Sequence, residues 1–406
     1  APAPAPYDPG AVPDRFITAH SPTWGTSPAD KLSGKVLRML EAGDTLYLAG
    51  EFTGMVPPGT PEGTQDGLVT RNYLAAVSAS TGELLSFNPD PNGPVRALAL
   101  SADGQRLYIG GTFETVGGAP ARNLAAIDLN TGALDPTFDP PRLNSGVRAL
   151  LRAGDRLYVG GNFTEAVTPA GALARPQLAA FHAGSGALLD WLPPANEGGE
   201  FFSHTGRERS SGNGIIFDLA LSADGTKLYA GGTFLDFGGQ SGLLSLDTAT
   251  GQPTEWQADL DRPVFAVEVW RGDGHTVFVA TGGAGGMLIA FDPGAKKDQR
   301  WSVKTDGDNV DVVATASQVY LMGHYDYVIS AKSSCYQRCP NGDPRRHLSA
   351  FDAATGKLDP DWHPVANTNT GPYTAVIGTR HLWVGGEFTS VNNEPQPGIV
   401  RFPALP

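Results

Sequence analysis

The feature that most restricts this chain is a unit that it spells again and again. "NGPVRALALSADGQRLYIGGTFETVGGAPARNLAAIDLNTGALDPTFDP", residues 92–140, is followed by "NSGVRALLRAGDRLYVGGNFTEAV" and "RPQLAAFHAGSGALLDWLPP". The spelling returns as "FDLALSADGTKLYAGGTF", "LLSLDTATGQPTEW", "LSAFDAATGKLDPDWHP" and "LWVGGEFTSV". Each copy holds four short apolar runs separated by turn residues, at a spacing of about 50 residues, which reads as four antiparallel strands.

Counting the "LYxGG" strand from Leu46, Leu107, Leu157, Leu228, Val277, Val319 and Leu382 gives seven copies. Four-stranded units repeated this often close into a ring in which each sheet packs on its neighbours. The expectation is therefore all-β, a seven-bladed β-propeller of four-stranded antiparallel blades. The last copy stops in "GIVRFPALP", at its third strand, and the early "SPTWGTSPADKLSGKVLRML" matches "DPTFDPPRLNSGVRALL". An N-terminal strand is thus expected to complete the last blade and close the ring. Residues 1–15 read as a Pro/Ala-rich spacer and 16–406 as a single propeller domain.

The string "LYxGGxF", then "LAA(I/F)D", "TG" and "F/W-x-P", resembles the δ-60 repeat propellers of secreted and cell-surface bacterial proteins, and more distantly the Rax2-like repeats of fungal surface proteins. The likeness spans roughly residues 20 to 406. It implies the fold and transfers no catalytic residue, because the blade and not a shared site defines those families.

A formal charge of −13 with no Lys/Arg-rich block argues against a surface that tracks nucleic-acid phosphates. No apolar run approaches the ~18 residues of a membrane span. The opening "APAPAPYDPG" reads as a spacer left after signal-peptide cleavage, which points to secretion or the cell surface, and the chain is expected to be a monomer. The paired glycines read as close backbone approach or bulges, since no helix follows them to make a phosphate cradle. Arg71, Arg122, Arg175 and Arg346 precede third strands and read as donors to loop carbonyls. Asn92, Asn144, Asn213 and Asn369 precede inner strands and read as turn residues. Arg96, Arg148 and Asp311, at the channel entrance, read as mutually paired charges.

Alternating strands put the 2→3 and 4→1 connections on one face, and every sizeable insertion falls there: 53–70, 164–176, 195–214 and 324–347. Loops that grow on a rigid scaffold are where binding concentrates. A shrunken "TGGAGG" in the fifth copy predicts a cleft over blade five. Its walls would be Phe201, Phe202, His204 and Arg207 on one side and His324, Tyr325, Asp326 and Tyr327 on the other. The sixth copy reads "VYLMGH", with His324 where other copies have their second glycine, and its loop holds both cysteines. Three readings stay open there: a Cys335–Cys339 disulfide, a zinc site of His324, Cys335, Cys339 and His347, and a metal shared by His324, Asp326 and His204.

Two functions follow. One is a recognition module that holds an extracellular polysaccharide or surface protein through Phe201, Phe202, Arg207, Asp326, Tyr327, Arg345 and His347, with no cofactor required and room for a metal ion on that face. The other is a polysaccharide-degrading enzyme, lyase or glycoside hydrolase, with His204, His324 and Tyr325 as catalytic groups. Residue types support the second without a diagnostic spacing, so the first is preferred.

Overall fold

The computed structural model describes residues 21–23, 34–57, 67–194, 200–202, 209–212, 214–258, 260–283, 285–294, 299–335, 339, 341–368 and 371–402. All elements among the described residues are strands. Seven sheets share one plan, in which an inner strand pairs antiparallel with a second and the second with a third. In the first sheet these are Lys35–Ala42, Thr45–Glu51 and Leu74–Ser78; in the second, Val95–Leu100, Arg106–Gly111 and Leu124–Asp128. The third has Val147–Ala153, Arg156–Gly161 and Leu178–His182, the fourth Ile216–Leu221, Lys227–Gly232 and Leu243–Asp247. The fifth has Val264–Val269, Val277–Thr281 and Met287–Phe291, the sixth Asn309–Ala314, Gln318–Gly323 and Leu348–Asp352. Pro372–Ile377, Leu382–Gly386 and Ile399–Phe402 form the seventh.

The expected fourth strand is present in the second sheet, as Ala133–Leu134, and in the fifth, as Gln299–Thr305. In four others it shrinks to one bridge, Val77↔Leu84, Phe181↔Leu188, Leu246↔Pro253 and Phe351↔Leu358. Prolines at or soon after these bridges lack the N–H that a longer ladder needs. In six sheets the late segment turns an aromatic ring onto a ring of the second strand, in the fifth from within the paired strand Gln299–Thr305. Tyr47–Phe87, Tyr108–Phe138, Tyr158–Trp191, Tyr229–Trp256, Phe278–Trp301 and Tyr320–Trp362 lie with centroids 5.1–5.6 Å apart. Such tilted and edge-on pairs add stabilisation beyond their buried area.

The inner strands touch in chain order, and the seventh lies back against the first. Each core cluster accordingly mixes neighbouring sheets, as where Tyr108 and Leu124 of the second pack with Val147 and Phe181 of the third. Polar links tie the seventh sheet to the first: the Glu41 carboxylate accepts from the Thr379 amide at 2.7 Å and from Trp383 Nε1 at 2.9 Å. Arg401 donates to the carbonyls of Ala79 and Ser80. Of the early segment, Ser21–Thr23 is described, and it pairs with Gly54–Val56 of the first sheet's loop. The remainder of the expected closing segment, Trp24 included, lies outside the described residues.

The glycine pair has two separate causes. A Cβ on Gly110 would come 2.4 Å from Val147 Cγ1 of the next inner strand, and one on Gly111 would come 2.0 Å from the Pro94 carbonyl oxygen of its own. Pairing also corrects the sequence register of the sixth copy. Gly323 pairs with Asn309 as Gly111 pairs with Val95, so Gly323 is the second glycine and Met322 replaces the first. His324 thus occupies the place of Glu51, Thr112, Asn162, Thr233 and Glu387 in other sheets.

A candidate binding site at the central cavity

Every inner strand has one extra residue near its start. The register steps past Leu37, Arg96, Arg148, Phe217, Phe265, Val310 and Tyr373, while their neighbours on either side stay in the ladder. This is the β-bulge, which bends a strand and re-aims a side chain. All seven of these residues, joined by Arg38 and Asp311, line one cavity of about 190 Å³. The bulges sit beside the ends of the second strands, where the 2→3 loops leave, so the cavity is at the insertion-bearing end.

Charges in and beside the cavity are mostly matched. Arg38 meets Asp218 at 3.0 Å, and the second Asp218 oxygen accepts from the Val267 amide at 3.0 Å. Arg96 is paired with Glu51. Asp311 accepts from the amides of Val312 at 2.9 Å and Ala375 at 2.8 Å. Burial raises the Asp311 carboxyl to about 6, with Arg38 opposing the shift and Asp218 adding to it. Below the cavity Glu268 is pushed up to about 8, first by burial and then by Asp218. Arg148 is the exception: among the described residues it makes no hydrogen bond and no ion pair, and its Nε is buried without a partner. Burial, and then the charge of Arg96, lower it to about 10, which leaves it cationic at neutral pH. Aromatic walls complete the site. Phe217 and Phe265 stand edge to face at 5.1 Å, and the Tyr373 hydroxyl donates to Glu387 at 3.2 Å.

The residues singled out from the sequence separate into three groups. Tyr325 is in the core, 1% exposed, with its hydroxyl bonded to the Leu321 carbonyl and to Ser349, so it is a packing residue and not an accessible base. Arg345 donates to the carbonyls of Pro344, Asp359 and Pro360, as Arg71 and Arg175 donate to Leu85 and Leu189, and it, not Arg346, holds that position. His347, at φ 71°, follows Tyr73, Asn123 and Gln177 as the left-handed residue before a third strand, and its ring bonds the carbonyls of Gly323 and Thr368. Arg345 and His347 are therefore braces rather than ligand contacts. Phe202 is buried, and Phe201 bridges Phe234, so both anchor their hairpin on the fourth sheet.

His324 lies edge to face with Tyr373 at 5.8 Å, which sets it beside the central cavity. Its Nε2 is buried without a partner, and burial, followed by the charges of His347 and Lys35, lowers it to about 4. Asp326 is exposed and Tyr327 half-buried, with both amides donating to Asp306. His204 and Arg207 fall outside the described residues. Cys335 and Cys339 form a disulfide, which removes both thiolates from the proposed zinc set. No group of three His, Cys, Asp or Glu able to hold a metal occurs among the described residues.

The asparagines have a clearer role than the sequence suggested. Asn92, Asn144 and Asn367 each accept from two successive amides of the following 2→3 loop, Glu114 and Thr115, Thr164 and Glu165, Thr389 and Ser390. Asn213 and Asn369 lie outside the described residues. The bulged aromatics Phe217, Phe265 and Tyr373 went unnoticed in the sequence, although each stands at the place that Arg96 and Arg148 occupy in their copies.

No family model and no curated protein sequence matches the chain. Among solved structures it is similar to the computationally designed Ika8 protein, at 14% identity and a TM-score of 0.52, over 91% of this chain and 96% of that one. It is also similar to a chain of the Mitotic Checkpoint Complex, at 12% identity and a TM-score of 0.53, over 98% of this chain and 90% of that one. Identities this low bear on the fold alone.

Proposed function

We propose that the chain is a seven-bladed β-propeller of the δ-60 repeat kind, secreted or displayed at a cell surface, that recognises an extracellular glycan or surface protein on its insertion-bearing face. The observation that carries the reading is the central cavity at that face, built from the residues at the seven bulges, which include three aromatic rings and Arg148, an arginine with no hydrogen bond or ion pair among the described residues. Around it the four insertions form short hairpins, Gly54–Val56 with Val69–Thr70, Glu165–Thr168 with Gly171–Ala174, Glu200–Phe202 with Arg209–Ser211, and Tyr327–Ile329 with Asp343–Pro344. Three of the five exposed large hydrophobic residues among those described, Leu68, Val167 and Leu173, are on or beside these hairpins, where a partner can cover them. The disulfide is consistent with an oxidising compartment.

Degradation of a polysaccharide is the weaker reading, since Tyr325 is enclosed in the core. A screen against acidic and neutral polysaccharides, scored for binding and for new unsaturated or reducing ends, tests the choice. Binding without turnover is the expected result. Turnover that His324→Ala abolishes would replace recognition with catalysis.

A further inference from the structure

Arg148 makes no hydrogen bond and no ion pair among the described residues, and Glu51, the carboxylate that acts on it, is already paired with Arg96. Its cavity neighbours Arg38 and Arg96 have Asp218 and Glu51, and Asp311 has two amides and the nearby Arg38. The Nε of Arg148 is buried without a partner while its terminal nitrogens, bonded to no described residue, stay open to the cavity, where an incoming anion can accept from them. Arg38, Arg96 and Arg148 are matched in number by Asp218, Glu51 and Asp311, so the site has no net charge to hold a polyanion and offers a single guanidinium without an ion pair, which one carboxylate matches. Glu51 and Asp311 beside it, with a chain at −13, further disfavour polyanions.

The rest of the lining is apolar or aromatic: Leu37, Val310, Phe217, Phe265 and Tyr373. Flat carbon faces of a sugar ring pack on such walls, and a phenol can bond its hydroxyls. At about 190 Å³ the cavity is smaller than the ~300 Å³ at which pockets for drug-sized molecules begin, so it admits one ring and not a longer chain.

Resting on the recognition reading, we infer that the central cavity is a subsite for a single hexuronate residue of an acidic glycan. The uronate carboxylate pairs with Arg148 and the sugar ring lies against Phe217, Phe265 and Tyr373. Oriented this way, Arg148 reads the carboxylate and the aromatic walls read the ring, so neither a neutral hexose nor a bare carboxylate satisfies both.

Titration calorimetry and ligand-observed NMR on the full chain test this with methyl glucuronoside, methyl glucoside and acetate as probes. The uronoside is expected to bind at least tenfold more tightly than either of the others. Arg148→Gln should cost tenfold or more in uronoside affinity, Arg148→Lys should retain part of it, and Phe217→Ala should weaken it in a chain that circular dichroism shows to be folded at the assay temperature. Equal binding of uronoside and glucoside, acetate binding as tight as the uronoside, or an Arg148→Gln variant with unchanged affinity would each overturn the assignment. Polysaccharide binding by the same variants separates the two claims. Retained glycan binding without Arg148 dependence sinks the subsite and leaves recognition standing, whereas uronoside binding with no polysaccharide bound sinks the recognition reading alone.

Discussion

Arg38 and Asp218 stand on the inner strands of the first and fourth sheets, 180 residues apart, and their side chains meet at 3.0 Å. The bridge joins sheets that are not neighbours, so it braces the assembly across its middle. Asp218 and Asp311 together hold the Arg38 guanidinium above its ordinary range against the opposing, and individually largest, effect of burial. Arg38→Met leaves two carboxylates without their cation and is expected to destabilise the chain by about 3 kcal/mol in denaturant unfolding. Arg38→Met with Asp218→Leu should recover part of that loss, giving a coupling of about 2 kcal/mol in the double-mutant cycle. Strictly additive losses would refute the brace.

Glu268 makes the stability depend on pH in a direction opposite to acid unfolding. Its folded pKa of about 8 lies above the ordinary 4.5, so the folded state holds the proton more tightly. The contribution is complete below pH 4.5 and is lost as pH rises towards 8, at most about 5 kcal/mol. Glu268→Gln should therefore be nearly neutral at pH 4.5 and stabilising at pH 8, which melts at the two pH values will show. His324 acts with the reverse sign: its pKa of about 4 makes stability fall as pH drops below 6.5.

The two glycines of the repeat should respond alike to a methyl group for different reasons. Gly111→Ala drives a Cβ into the Pro94 carbonyl and Gly110→Ala into Val147, and each is expected to cost about 3 kcal/mol. Gly118 is open at its Cβ and has φ 80°, so Gly118→Ala should cost only about 1 kcal/mol through backbone strain. Chemical denaturation of the three variants ranks them. Equal losses at all three positions would mean that close approach is not the reason for the pair.

Cys335 and Cys339 close a loop with a separation of four residues, so their disulfide removes little chain entropy, about 2 kcal/mol at most. The hairpin below it is held independently, through Tyr327↔Pro344, Lys304↔Ile329 and the bond from Lys304 to the Ser333 carbonyl at 2.9 Å. A Cys335→Ser, Cys339→Ser double variant should unfold within a few degrees of the parent and be cut faster by protease in residues 330–342. A collapse of the global transition would show that the staple reaches further than its own loop.

Much of the architecture was legible because the repeat is written in packing chemistry. Glycines mark close approach, "TG" and "ADG" mark turns, and an aromatic of the second strand with a late aromatic marks the ring pair in six of the seven copies. The disulfide could be read from two cysteines in one loop. What stayed hidden depends on register. A single extra residue in a strand leaves the apolar alternation almost unchanged, yet it decides that Phe217, Phe265 and Tyr373 face the cavity while Val264 and Val95 face the core. The same kind of slip misassigned the glycine beside His324. Tyr325, Arg345 and His347 looked like ligand contacts because polar and aromatic residues in an insertion resemble a site. Only their bonds to backbone carbonyls reveal them as braces.

Because the register steps past the residue at each bulge, its identity is uncoupled from the pairing of its strand. Leucine, arginine, phenylalanine, valine and tyrosine all occupy the seven equivalent places in this one molecule, within closely similar sheets. The ring thus behaves as an interchangeable keyhole in a fixed lock plate. Selection, or a library randomised at these positions, can respecify what enters the middle of the molecule without renegotiating how it folds.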